Sequence, residues 1–197
     1  TVDFPTLNME APYVLTEEEE SVMKTLRHAF RQSIRLQSHV AFLYERGSMY
    51  RVYNGNLLFH GCVPLREDGA FLEKTFGEET VCGRAFMDYA DHMARQAYYK
   101  GDRYALDFMW YLWCGEDSPV CGRRIKTFAR AYIADEEAWH EPRNPYYTWY
   151  NQEKICEKIL HEFGLDSEES IIVNGHTPIR VTHGESPLKA GGRLVGI

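Results

Sequence analysis

Apolar positions recur every three or four residues along much of the chain, and this spacing predicts helices. The first apolar stripe runs from Val22 to Leu43 and follows Thr16–Glu19, a capping box whose side chains can cover free N–H groups at a helix start. Gly47 is expected to end this helix, because glycine commonly follows the last residue of a helix. The pattern therefore predicts an extended arm and one long helix over residues 1–47, with the stripe facing a core.

The spacing changes to two after Gly47, which predicts a β-hairpin over residues 48–65. Asn54-Gly55 has the residue types of a type I′ turn between the two strands. The second strand runs into His60-Gly61, so His60 is expected at the carboxyl end of a strand.

Large apolar side chains return at helical spacing over residues 81–163 and predict a helical block that covers a sheet without extending it. Three helices of about 10 to 18 residues are expected up to Asp135, with breaks at Gly101-Asp102 and Gly115–Pro119. A further helix is expected from Trp149 to Phe163, before Gly164.

Residues 170–197 contain short β-branched runs that predict strands at 171–173, 179–181 and 194–197. The first of these runs ends in Gly175-His176-Thr177-Pro178. The whole chain is therefore predicted to be an α+β, helix-rich piece of protein with a hairpin near its middle and a few strands at its C-terminal end.

Composition narrows the function classes. With 22 basic and 29 acidic residues the formal net charge is −7, which argues against nucleic acid as a partner because phosphate neutralisation needs a basic face. The longest apolar run is far short of a bilayer span, so no membrane association is predicted. Five cysteines without a C-x-x-C pair indicate reduced thiols and a cytoplasmic protein, and they do not support a zinc knuckle.

Two histidines occupy equivalent places, His60 before a glycine and His176 after one, each just beyond a predicted strand. Ligand sites lie beyond the carboxyl ends of strands, where glycine allows close approach. Neutral imidazoles are ligands for Mn, Fe or Zn, so both histidines could serve one metal site. Each could instead be a polar histidine bonded to nearby backbone, and the residues alone leave both readings open.

Four segments resemble the class III fructose-1,6-bisphosphatases, a family similar to the calcineurin-like metallophosphoesterases. They are His39–Tyr50, Tyr53–Pro64, Tyr111–Pro119, and Val173–Pro178 with its continuation to Gly184-Glu185-Ser186-Pro187. The resemblance covers nearly the whole chain, and it implies a metallophosphoesterase-type sandwich.

The resemblance also implies hydrolysis of fructose 1,6-bisphosphate at a site of two metal ions, manganese in type, that activate a bridging hydroxide. His60 and His176 match the family's late His-Gly and Gly-His-Thr motifs and are the implied metal ligands. The family's D-x-H, G-D-x-x-D-R and G-N-H-E motifs are absent here, so the chain resembles a later segment and no residue is assigned a catalytic role. A missing upstream part of the polypeptide is thus an expected partner, and the isolated chain is expected to be inactive.

A bisphosphate needs local positive charge in a protein of net charge −7. Arg123, after the loop that ends at Gly122, and Lys189, in the loop from Gly184 to Gly192, are the candidate substrate-binding residues. Arg123 could instead belong, with Arg124, Lys126 and Arg130, to a solvated or dipole-placed basic cluster on a helix.

A different class of function also fits the pattern: a non-catalytic helical assembly or regulatory module that packs against a phosphatase or another subunit. A reading frame that continues upstream into the three absent motifs would favour the enzyme, whereas a frame that begins near Thr1 would favour the module. Homo-oligomerisation is compatible with both.

Overall fold

A computed structural model describes residues 4–197 of the chain, apart from the side chain of Thr127. The chain divides into two compact units, one made of residues 4–47 and 127–139 and the other of residues 48–126 and 140–197. The predicted α+β class is confirmed, with helices, a central hairpin and C-terminal strands. Within the described residues, every helix is too short or too polar to traverse a lipid bilayer.

The first helix of the first unit begins at the predicted capping box. There the amide of Glu19 donates to Thr16 Oγ1 at 3.2 Å and the amide of Thr16 donates to Glu19 Oε2 at 2.8 Å. The helix it starts is shorter than predicted, because the chain breaks at Ser33 (φ −72°, ψ 99°) into α1 (Glu17–Gln32) and α2 (Ile34–Arg46). The Ser33 hydroxyl accepts from the amide of Leu36 at 3.3 Å and caps the second helix. A serine side chain that competes for backbone N–H groups explains the break.

The apolar stripe of α1 and α2 was predicted to face a core, and this prediction is wrong for the described residues. Neither helix contains a buried residue, and Val22, Phe30 and Leu43 are 58%, 64% and 63% exposed.

The same unit contains α5 (Thr127–Tyr132), which has six residues where a helix of ten or more was expected, and a short 3-10 helix at Glu136–Trp139. The indole N–H of Trp139 donates to the carbonyl of Ile133 at 2.7 Å and closes this turn.

The second unit is built on a five-stranded sheet. Its strands are β1 (Tyr50–Tyr53), β2 (Asn56–Phe59), β5 (Ile172–Asn174), β6 (Leu188–Lys189) and β7 (Leu194–Gly196), and their order across the sheet is β1-β2-β5-β7-β6. The predicted hairpin is confirmed: β1 and β2 are antiparallel, and Asn54 and Gly55 have the positive φ of a type I′ turn. The central strand β5 is parallel to both β2 and β7, so the carboxyl ends of three strands meet at one edge.

Two details of the predicted strands differ. The strand expected at 179–181 is wrong, since Val181–His183 is a 3-10 turn closed by Gly184 in the left-handed region (φ 79°). The Glu185 side chain accepts a hydrogen bond from the amide of Arg180 at 3.0 Å. A side chain that binds a nearby backbone amide in this way competes with the hydrogen bonds of a β-sheet and favours a turn. Strand β6 was not predicted, and neither was the small separate hairpin of β3 (Lys74–Phe76) and β4 (Glu79–Val81).

Helices dominate the remainder of the block and, as predicted, add no strand to the five-stranded sheet. The helices of this unit are α3 (Gly83–Lys100), α4 (Arg103–Cys114), α6 (Tyr146–Trp149) and α7 (Glu153–Glu162). The predicted breaks before and after α4 are confirmed, whereas the helix expected from Trp149 begins at Glu153. The buried face of α7 packs on the sheet in one core cluster, which includes Leu57, Cys156, Ile159, Leu160, Ile172 and Leu194.

Candidate functional site

The two strand-end histidines come together. In the register of β2 and β5, Phe59 lies opposite Asn174, so the chain after each strand emerges at the same edge of the sheet. His60 Nε2 lies 3.0 Å from His176 Nδ1, and the ring planes are nearly perpendicular, at 85°. Two histidines that lie 116 positions apart in the sequence are thus neighbours at one site, as the sequence predicted, while their role as metal ligands remains a prediction.

The backbone around His176 has an unusual shape. His176 has φ +65°, a region that residues other than glycine rarely adopt. The amide of Thr177 donates to the carbonyl of Gly175 at 2.7 Å, so His176 is the central residue of a tight γ-type turn. A Cβ on Gly175 would stand 3.3 Å from His60 Nδ1, which explains why a glycine precedes this histidine. A strained conformation of this kind is typical of a functional site.

A buried asparagine ties the two histidine segments together. Asn174 is 4% exposed, and its amide group donates to the carbonyls of His60 at 3.1 Å and Gly61 at 2.8 Å. Its Oδ1 accepts from the hydroxyl of Tyr146 at 3.0 Å. Burial raises the pKa of Tyr146 well above its ordinary value, so this hydroxyl remains a donor. Asn174 therefore fixes the backbone that carries His60 beside the strand that carries His176.

The electrostatics of His176 favour a neutral ring. Partial burial lowers its pKa, and the nearby His60, Arg123 and Arg143 lower it further because each disfavours a second positive charge. Its Nε2 is buried and has no hydrogen-bond partner in the described residues. The neutral imidazole is the form of histidine that binds metal ions.

The histidine pair fits a divalent metal ion but supplies only part of its shell. Two nitrogens bound to one ion at about 2.1 Å stand ~3 Å apart when the angle at the ion is near 90°, and this matches the observed 3.0 Å. The same distance suits a hydrogen bond between one protonated and one bare ring nitrogen. In the part of the chain that the structure describes, no group of three or more His, Cys, Asp or Glu side chains could hold a metal.

A cavity of about 360 Å³ opens beside His176. It is lined by Arg123, Arg143, Tyr147, His176, Thr177, Pro178, Arg180 and Glu185. Arg123, one of the two predicted substrate-binding residues, is therefore placed next to His176. The loop that leads to it is held by Ser118, whose hydroxyl donates to the carbonyl of Leu112 at 2.5 Å and accepts from the amide of Val120 at 3.1 Å.

The other predicted substrate-binding residue, Lys189, has a different environment. Its ammonium donates to the Tyr150 hydroxyl at 2.7 Å and to Glu185 Oε1 at 2.9 Å, and it lies over the Tyr150 ring at 4.7 Å. These contacts raise its pKa despite partial burial and hold the charge in place. Lys189 is linked to the cavity through Glu185, and a role in binding substrate remains a prediction.

Sequence reasoning missed Arg143, Arg180 and Asn174. Arg143 lies between two prolines in a loop, and Arg180 lies two residues beyond Pro178, so neither had a periodic pattern to place it. A usable signal was available for Asn174, because a polar residue at the end of the β-branched run must find hydrogen bonds if the strand is buried.

The glycine after His60 is required by a close contact. A Cβ on Gly61 would stand 2.3 Å from the carbonyl oxygen of Pro119 and 2.4 Å from that of Val120, both backbone atoms. We expect Gly61→Ala to lower the free energy of unfolding by at least ~2 kcal/mol, measured by urea denaturation. Gly55→Ala is a matched control, since its Cβ would meet nothing within 4 Å and only the left-handed conformation costs ~1 kcal/mol. Equal effects of the two substitutions would contradict the steric explanation.

Comparison with known proteins gives one consistent result. The family described as Firmicute fructose-1,6-bisphosphatase matches residues 1–197. A protein of Clostridium botulinum (strain Langeland) named fructose-1,6-bisphosphatase class 3 is 45% identical over 99% of this chain, and one of the same name from Clostridium novyi (strain NT) is 46% identical over 98%. The chain spans about 30% of the length of these relatives, and no solved structure matches it significantly. Together with the paired strand-end histidines, the match over the whole chain shows that this chain belongs to the Firmicute fructose-1,6-bisphosphatase family.

Proposed function

We propose that the chain is the later part of a manganese-dependent phosphatase that hydrolyses fructose 1,6-bisphosphate to fructose 6-phosphate and phosphate in gluconeogenesis. The observation that carries this proposal is the 3.0 Å approach of His60 Nε2 and His176 Nδ1 at the ends of two neighbouring parallel strands. The relatives' name, fructose-1,6-bisphosphatase class 3, supports the reaction and the substrate.

In this proposal His60 and His176 hold one of two divalent ions. Bound ions supply charge that stabilises the phosphate oxygens and lowers the pKa of a bound water. The residues of this chain set the position of that charge: Asn174 keeps the His60 backbone against β5, and the γ-type turn directs the His176 ring toward His60. Arg123 lies beside His176 and presents a cation for the substrate's phosphate.

The remaining ligands and a group that protonates the departing sugar oxygen are assigned to the part of the polypeptide outside this chain. Two neutral imidazoles cannot complete a metal shell, and they cannot balance the charge of two divalent ions. The relatives' greater length is consistent with an upstream part that contributes carboxylates.

The test compares phosphate release by two proteins in the presence of Mn²⁺. The product of the complete reading frame is expected to hydrolyse fructose 1,6-bisphosphate, whereas residues 1–197 alone are expected to release no phosphate above background. Circular dichroism establishes in parallel that each protein is folded. A folded full-length protein that leaves the bisphosphate intact would overturn the proposed reaction, and robust turnover by residues 1–197 would overturn the need for a second part.

A further inference from the structure

Three arginines from separate segments line the cavity beside His176. Arg123 follows the loop after α4, Arg143 precedes α6, and Arg180 follows the His176 turn. The volume of this cavity, about 360 Å³, lies near the lower end of the range for small-molecule sites. A cavity of this size with three guanidinium groups is a site for a small, highly charged anion.

The backbones that carry these arginines are held in place. Arg123 and Arg143 are paired in an antiparallel bridge, flanked by hydrogen bonds from Arg124 N to Pro142 O at 2.9 Å and from Asn144 N to Gly122 O at 2.8 Å. Arg180 is held by Glu185, which accepts from its amide at 3.0 Å and donates its own amide to the Arg180 carbonyl at 3.2 Å. The site is therefore preorganised at the backbone level.

The guanidinium groups retain hydrogen-bonding capacity. Arg123 Nε is buried without a partner in the described residues, and its Nη1 lies 3.6 Å from Glu141 Oε2, beyond ordinary hydrogen-bond length. Among residues 4–197, the guanidinium of Arg143, which lines the same cavity, has no ion-pair or hydrogen-bond partner. A buried donor without a partner costs free energy unless a ligand satisfies it.

The charges around the cavity favour an anion. Three guanidinium groups, those of Arg123, Arg143 and Arg180, and one carboxylate, that of Glu185, line the cavity. The lining therefore has an excess of two positive charges in a protein of net charge −7. Glu185 is itself occupied by Lys189 at 2.9 Å and by the amide of Arg180.

We propose that Arg123, Arg143 and Arg180 form the subsite for the phosphate group of the bisphosphate that is not hydrolysed. This inference rests on the proposed function and extends it. Ions held by His60 and His176 would neutralise the reacting phosphate, whereas a second phosphate at the other end of the sugar would need cations of its own. The arginine cavity adjoins His176 and provides them, so it selects sugar bisphosphates over monophosphates.

The test uses Arg143→Gln and Arg180→Gln in the full-length protein with Mn²⁺, and Arg103→Gln as the control. Arg103 lies on α4 with 88% of its side chain exposed and pairs only with Asp107 among the described residues, so its loss changes the net charge equally but leaves the cavity intact. Two substrates are compared, fructose 1,6-bisphosphate and fructose 1-phosphate, which lacks the second phosphate.

Each cavity variant is expected to lower kcat/KM for the bisphosphate by about 10- to 100-fold, which is the range for the loss of a hydrogen bond to a charged group. The kcat/KM for fructose 1-phosphate is expected to stay unchanged. Binding of fructose 6-phosphate to the metal-free protein, followed by calorimetry, is expected to weaken by a similar factor. The Arg103→Gln control is expected to match the wild type in all three measurements.

An equal loss on both substrates would overturn the inference, because the arginines would then act on the reacting phosphate. Unchanged constants on both substrates would also overturn it. If the wild-type protein hydrolyses neither substrate, the proposed function fails on its own, and the fructose 6-phosphate measurement still decides whether the arginines bind a sugar phosphate.

Discussion

Replacing either His60 or His176 by alanine in the full-length protein is expected to lower Mn²⁺ affinity by more than about 100-fold. Loss of a residue that only orients a metal ligand already lowers metal affinity by about 10- to 100-fold, and loss of a ligand itself should lower it further. Phosphate release from fructose 1,6-bisphosphate is expected to fall to background with it. The reason is geometric: the two ring nitrogens stand 3.0 Å apart and would bind the same ion, so loss of either one opens the shell. Calorimetric Mn²⁺ titration and a phosphate assay measure the two effects.

The double variant provides a stricter check. If both histidines serve one ion, the loss of activity in the double variant should be no greater than in either single variant, because groups that act as a unit are not additive. His161→Ala is the control, as this exposed histidine near the end of α7 lies outside the site. Stoichiometric Mn²⁺ binding at wild-type affinity in both single variants would show that the pair is a structural hydrogen bond.

The meeting of the two histidines could be predicted from the sequence because the signal was local and repeated. Each histidine adjoins a glycine directly after a β-branched or apolar strand, and parallel neighbours bring their carboxyl ends to one edge. What the sequence left open was whether those strands were neighbours. The register of Phe59 with Asn174 decides this, and it arises from a long-range pairing that no periodicity encodes.

The arginine cavity was only partly predictable for the same physical reason. Arg123 could be suggested from its position after a glycine loop, but its partner across the bridge, Arg143, is 20 positions away in a segment without periodic structure. Lys189 matched the same reasoning from charge and loop position, yet Tyr150 and Glu185 bind its ammonium. Charge type is local information, whereas the partner of a charge depends on tertiary contacts.

The break at Ser33 shows how one residue can override a periodic pattern. The stripe from Val22 to Leu43 keeps helical spacing through this position, so periodicity alone favours one helix. The serine hydroxyl caps α2 at the amide of Leu36, and the backbone leaves the helical region at the same residue. Serine in the middle of an apolar stripe was the available signal, because serine favours caps over helix interiors.

Replacing Asn174 by leucine, a side chain of similar size, is expected to lower the free energy of unfolding by ~3–5 kcal/mol. The substitution would leave the Tyr146 hydroxyl and the carbonyls of His60 and Gly61 buried or half-buried without their partner, and each such group costs about 1–3 kcal/mol. Mn²⁺ affinity of the full-length protein is expected to fall by about 10- to 100-fold, because the His60 backbone loses its tie to β5. Urea denaturation and Mn²⁺ titration measure the two effects.

Two further variants separate the hydrogen bonds of Asn174. Tyr146→Phe removes only the hydroxyl that donates to Oδ1, so it should cost ~1 kcal/mol and leave Mn²⁺ affinity intact. Asn174→Asp retains that acceptor but loses the donors to His60 and Gly61, so it should reproduce the loss of affinity even where the leucine variant is too unstable to measure. Wild-type Mn²⁺ affinity in a folded Asn174→Asp protein would contradict this role of Asn174. The His60 ring would then be positioned by its own segment, through the contact of Gly61 with the loop at Pro119, and the buried asparagine would contribute only to stability.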